Sequence, residues 1–186
     1  MKLYIKNMVC NRCIAAVEKV LTDFRLKFSA VELGEVEIKN HLEAQDLQEL
    51  NQRLKEAGFE ILEDAAHQLI AKVKKELILL IDGLDIPEDF ILSKFISEKL
   101  HRDYSAVSKL FSQNESVTIE QYFILQKIEK VKELLFYDEF SLTEISGKLG
   151  YKSVQHLSSQ FRNSTGFTPS GFKKLKVKNR IPLDKI

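Results

Sequence analysis

The sequence predicts two folds in series: an α+β, ferredoxin-like βαββαβ domain first, then an all-α domain with two helix-turn-helix units. Three observations carry this. Residues 1–64 switch between period-2 and period-3.6 apolar patterns in the order strand, helix, strand, strand, helix, strand. From residue 65 onward the apolar period is helical. Shifted by 50 residues, the helical part resembles itself: Phe90 falls on Phe140, Leu92 on Leu142, Phe95 on Ile145, Val107 on Leu157, Phe111 on Phe161, Thr118 on Thr168 and Tyr122 on Phe172.

The first domain is expected over residues 1–64. Lys2 to Lys6 alternates as a strand, and the loop NMVCNRC follows. Ile14, Val17, Val20, Leu21 and Phe24 form a helical stripe. Leu26 with Phe28, and Val31 with Leu33, read as a second strand, with a third at Val36 and Ile38 after Gly34. Leu47, Leu50 and Leu54 mark a second helix ending at Gly58, and Phe59 with Ile61 opens the fourth strand.

Met8, Cys10 and Cys13 sit in the loop at the mouth of the first helix. Two thiols at this spacing can hold one soft ion such as Cu(I), because a helix N-terminus favours the thiolate. A dithiol redox pair is a rival reading, but it would go with a thioredoxin-like fold, which the strand order does not support; the bland reading is two small, partly buried hydrophobes. The segment resembles the heavy-metal-associated domains of copper-chaperone type, whose MxCxxC motif is matched by Met8, Cys10 and Cys13. The glycine that family places before the Met is Asn7 here, and its Gly-Val before the second strand is missing. The resemblance implies soft-metal ligation by these three residues.

The all-α domain is expected over residues 65–176, with residues 177–186 as a basic tail. Residues 65–82 form its first helix, stopped by Gly83 and by Pro87 beyond it. One helix-turn-helix spans 89–113 and the second 141–164. Ile119 to Tyr137 is one long helix between them, with Ile124, Ile128, Val131 and Leu135 on one side. Ser141 with Glu144 makes a capping box, Gly150 the tight turn, and Ser153 the cap of the last recognition helix.

Charge is unevenly placed. Residues 1–64 hold 9 Lys or Arg against 12 Asp or Glu, whereas Ile145 to Leu183 contains eight Lys or Arg (Lys148, Lys152, Arg162, Lys173, Lys174, Lys176, Lys178 and Arg180) and no acid. An acid-free basic stretch around a helix-turn-helix is the electrostatic footprint of a DNA-facing surface; alone, it could also be a solvated face.

The doubled unit resembles the AraC family of transcription regulators over about residues 67–175. The residues that carry the resemblance are Gly150-Tyr151, Leu157-Ser158, Phe161-Arg162, Gly166, Thr168-Pro169 and Phe172-Lys173. The text QKIEKVKELL also matches the family's linker-helix pattern, with Lys127 in place of Arg and Val131 in place of Ala. In the first unit Ser116 stands where the second has Gly166, and Ile119 where it has Pro169. The resemblance implies double-stranded promoter DNA as partner, with RNA polymerase as a further one.

Base-reading candidates are Val154, Gln155, His156, Ser159 and Gln160 in the second recognition helix, and Tyr104, Ser105, Ser108 and Lys109 in the first. Lys152, Arg162 and Lys173 are the candidate phosphate anchors. The absence of a phosphate loop, GxSxG or HExxH argues against an enzyme. Composition (44% hydrophobic, 30% charged) is that of a soluble globular protein, and no apolar run approaches the ~20 residues of a membrane span. With no signal-peptide core, a cytoplasmic place is expected.

The expectation is therefore a sequence-specific regulator, monomeric or weakly dimeric, that needs no cofactor. Its N-terminal domain would sense a soft metal ion such as Cu(I) or a thiol redox state. The rival reading is a copper-chaperone-like metal-trafficking protein whose helical half is a docking module. A third keeps DNA binding and makes the first domain an inert interaction module.

Overall fold

The computed structural model describes residues 1–39, 41–175 and 180–186. Lys176 and Lys178 of the acid-free run, and residues 177–179 of the expected tail, lie outside the described residues. The chain divides into two compact units, Met1–Lys75 and Glu76–Ile186.

The first unit holds β1 (Lys2–Lys6), α1 (Asn11–Asp23), β2 (Phe28–Glu32), β3 (Glu35–Ile38), α2 (Ala44–Glu56) and β4 (Glu60–Ile61). The strands form one sheet in the order β2-β3-β1-β4, and every pairing is antiparallel. Alternation decides what is buried. Leu3 and Ile5 of β1, Val36 and Ile38 of β3, and Ile61 join Val17 and Leu21 of α1 and Leu50 and Leu54 of α2 in the core. The register sets Leu3 against Val36 and Ile5 against Ile61. In β2 the ladder shifts between Phe28 and Ala30. That irregularity explains why Leu26, Phe28, Val31 and Leu33 do not keep one period in the sequence.

Glu32 and Glu35 face each other across the β2–β3 hairpin, where like charges repel. Lys75 compensates, its Nζ lying 3.0 Å from Glu32 and 3.9 Å from Glu35, and Lys2 pairs with Glu35 as well. Lys75 belongs to α3 (Ala65–Asp82), the helix within which the division between the units falls.

The second unit continues with α4 (Leu92–Leu100), α5 (Tyr104–Asn114), α6 (Ile119–Tyr137), α7 (Leu142–Lys148), α8 (Val154–Thr165) and α9 (Pro169–Lys173). The offset of 50 is visible in the starts of three helix pairs: α4 and α7, α5 and α8, α6 and α9. It extends to the core. Phe111 meets Tyr122 at 5.8 Å between ring centroids, and the equivalent Phe161 meets Phe172 at 5.5 Å. Each pair locks a recognition helix to the helix that follows it.

The two copies differ at their ends for physical reasons. α8 closes on Gly166 in a left-handed conformation (φ +79°), so glycine is favoured there. α5 ends at Glu115 in an extended conformation, so Ser116 is tolerated at the equivalent of Gly166. Gly150, after α7, is needed twice over. Its φ is +68°, and an added Cβ would lie 2.7 Å from Ile86 Cγ2 and 2.9 Å from the Pro87 carbonyl oxygen. Ile86 is buried there, its amide donating to the Lys148 carbonyl at 3.0 Å.

Residues 180–186 run back along α6. The Ile181 amide donates to Glu129 (3.1 Å), Gln126 Nε2 donates to the Leu183 carbonyl (3.3 Å), and Arg180 donates to Glu133 (2.9 Å). Glu129 and Lys132 pair with one another on this helix while only 2% and 7% exposed.

Candidate nucleic-acid interface

Both recognition helices begin at a side-chain cap. The Asp103 carboxylate accepts from the Ala106 amide at 3.0 Å, and the Ser153 hydroxyl from the His156 amide at 3.1 Å. The caps satisfy otherwise unpaired amides and fix the angle at which each first turn leaves its loop.

On α8 the apolar side is Leu157 and Phe161, both fully buried. Gln155, His156 and Ser159 are exposed, and Arg162 and Asn163 continue that stripe one turn on. Val154 and Gln160 are half-buried. The Tyr151 hydroxyl donates to Gln160 Oε1 at 2.8 Å, so this amide is held from beneath by the turn, and the His156 ring lies edge-on to Tyr151 at 5.4 Å. On α5, Ser105 and Lys109 are exposed, while Tyr104 and Ser108 are half-buried. The Tyr104 hydroxyl donates to Glu120 in the first turn of α6. That bond holds the Glu120 carboxyl below its usual range, while burial foremost pushes the Tyr104 phenol up. Of the phosphate candidates, Lys152 and Arg162 are exposed, and Lys173, also exposed, pairs with Asp138.

Lys127, which the family pattern marks only as a basic position, has a structural place. It is 8% exposed. Its Nζ donates to the Leu149 carbonyl at 3.3 Å and lies 4.1 Å from the Tyr151 ring centre and 4.9 Å from that of Phe123. Burial pushes its pKa down to about 8. The long helix thus reaches the turn of the second unit through one ammonium, and from Tyr151 the contact passes to Gln160 on α8. Tyr151 stands at a motif position, but its bond to Gln160 and the burial of the Glu129–Lys132 pair have no sequence signal, since neither follows from helical spacing.

A family model described as a helix-turn-helix domain matches residues 96–175. The Msm operon regulatory protein of Streptococcus mutans is 29% identical over 79 residues, which make up 42% of this chain and 28% of that protein. Residues 96–175 form an AraC-type helix-turn-helix domain. Among solved structures, the C-terminal domain of AraT, a response regulator from Geobacillus stearothermophilus, has the same fold. It aligns with a TM-score of 0.52 at 17% identity, over 63% of this chain and 91% of that one. The present chain spans about a quarter of the length of its curated relative, and the AraC-type match leaves its first unit outside.

In that first unit, Cys10 is the N-cap of α1 and Cys13 lies in its first turn, with the two Sγ atoms 3.5 Å apart and both residues half-buried. Asn7 adopts φ +71°, the left-handed conformation for which the resembling family uses glycine, and its Nδ2 donates to the Gly58 carbonyl at 3.0 Å. Asn is the non-glycine residue that tolerates this region best. Met8 is 5% exposed and packs in the core. Among the described residues there is no cluster of three or more His, Cys, Asp or Glu that could hold a metal ion. The donor set is therefore two thiols, which fits two-coordinate ligation of a soft ion and not a closed four-ligand site. No described helix is long and apolar enough to cross a membrane.

Proposed function

We propose that the chain is a sequence-specific transcription regulator whose AraC-type domain binds double-stranded promoter DNA through both helix-turn-helix units. The observation that carries this is the internal repeat, with matching cores and with exposed polar stripes on α5 and α8. Two readers on one connecting helix suit half-sites about one turn apart, roughly 34 Å, on one face of the duplex. Gln155, His156 and Ser159 are the base-reading side chains on α8, with Ser105 and Lys109 on α5. Lys152 and Arg162 hold phosphates, joined by Lys173 when it leaves Asp138. Val154, Gln160, Tyr104 and Ser108 act more as the floor from which these reach. One chain carries both readers, so a monomer suffices on DNA, and RNA polymerase is the natural further partner. The first unit is a ferredoxin-like domain, as its βαββαβ order and strand order support, and its Cys10–Cys13 pair is where a signal would enter.

Selection of bound duplexes from a random pool tests this. A defined motif should be enriched, and log affinity should fall against log salt with a slope of about −3 or steeper if three phosphates are neutralised. Gln155→Ala should relax preference at one position by about 1–3 kcal/mol, and Lys152→Ala should shallow the salt slope by about 1. Binding with no enriched sequence sinks the reading and favours the metal-trafficking alternative, in which the helical half only docks.

A further inference from the structure

We infer that Cys10 and Cys13 are a reversible dithiol–disulfide pair that exchanges with small anionic disulfides of the glutathione class. The inference concerns sulfur chemistry in the first unit and does not depend on DNA binding.

The geometry is already close. The two Sγ atoms are in contact at 3.5 Å, and a disulfide bond is about 2.0 Å long, so closure needs only small side-chain rotations. Cys10 is free to make them. As the N-cap it has extended backbone angles (φ −161°, ψ 169°) and no side-chain capping bond to lose. The backbone around it is held, because its carbonyl accepts from the amides of Cys13 (2.9 Å) and Ile14 (3.3 Å). Neither thiol is enclosed, so a small molecule can reach the pair.

The surroundings choose the class of reagent. The first turn of α1 contains no acid and includes Arg12, and the helix N-terminus itself attracts negative charge. A tripeptide-sized disulfide carrying carboxylates meets no opposing carboxylate in that turn.

The exchange balances as follows. Cys10, the N-cap residue with no side-chain capping bond to lose, makes the opening attack. The Cys10 sulfur, as thiolate, attacks one sulfur of RSSR; a Cys10–S–S–R bond forms, and RS⁻ leaves and takes up a proton from solvent. Cys13, losing its proton, then attacks Cys10 Sγ, the S–S bond to R breaks, and a second RSH leaves. Two electrons pass from the protein to RSSR. Two thiols become one intramolecular disulfide, and RSSR becomes two RSH.

The full chain is incubated with glutathione and glutathione disulfide at varied ratios, quenched in acid, alkylated with N-ethylmaleimide and weighed intact. At excess glutathione disulfide the chain should be lighter by two hydrogens and carry no maleimide; at excess glutathione it should carry two. Cys10→Ser and Cys13→Ser should each stop as a single glutathione adduct, with an unchanged far-ultraviolet spectrum showing that they fold. Two glutathione adducts on the native chain, two free thiols at excess disulfide, or disulfide-linked dimers would each overturn the inference.

Discussion

Gly150 offers the sharpest test of how the second helix-turn-helix is built. In Gly150→Ala the backbone must hold alanine at φ +68°, which costs roughly 1–2 kcal/mol. The new Cβ also meets Ile86 Cγ2 at 2.7 Å and the Pro87 carbonyl oxygen at 2.9 Å. The second neighbour is backbone and cannot swing aside, so an overpacking cost of about 1–3 kcal/mol adds. A total of about 2–5 kcal/mol should lower the melting temperature of the helical unit by roughly 10 °C or more, at ~4 °C per kcal/mol. Two other glycines supply the scale. Gly166→Ala keeps the strain (φ +79°) with open space around the Cβ, and should cost only about 1–2 kcal/mol. Gly147→Ala, inside α7 with nothing within 4 Å, should stabilise by about 0.5–1 kcal/mol. Urea titrations of the three variants, followed by circular dichroism, should rank them in that order. If Gly150→Ala proves no worse than Gly166→Ala, the close approach of Ile86 and Pro87 to this turn is refuted.

Two further outcomes concern the buried charges of α6. Because burial lowers Lys127 to about 8 in the folded chain, the unfolded chain binds that proton more tightly, and stability should rise as pH climbs from about 8 towards the ordinary lysine range. Lys127→Met should abolish the rise, on the order of 2–3 kcal/mol at most, between urea midpoints at pH 7.5 and 9.5; an equal rise in the variant counts against the assignment. Glu129→Ala leaves Lys132 buried without its partner and should cost about 3–5 kcal/mol, whereas the Glu129→Leu, Lys132→Met double variant should recover most of it. Equal losses in single and double variants would show that the ion pair is not what matters there.

What the sequence made legible follows from what repeats. The offset of 50 places Phe111 and Tyr122 on Phe161 and Phe172, and the structure brings each pair into ring contact. Capping chemistry was equally readable: Ser141 with Glu144 forms the box its spacing demands. Polar groups buried by distant segments were not readable. Lys127 and Glu129 sit on helical positions that look solvated until Leu149 and Tyr151 meet the first and Ile181 the second. Among the site candidates, exposure separates residues that spacing treats alike. Gln155 and Gln160 share a chemistry, but only the second has a tyrosine hydroxyl on its carbonyl oxygen, and that depends on where the Gly150 turn sets Tyr151. The motif groups Met8 with the thiols, and its burial in the core is a feature that motif spacing does not show.

The strap along α6 also bears on the order of synthesis. Glu129 is translated 52 residues before Ile181, whose amide it awaits. Until that residue has left the ribosome, the carboxylate and its lysine have only each other and water. Both reading units can be complete in sequence by then, yet the helix that joins them still lacks its cover. The Glu129 carboxylate therefore gains its backbone partner only after residue 181 has been added to the chain.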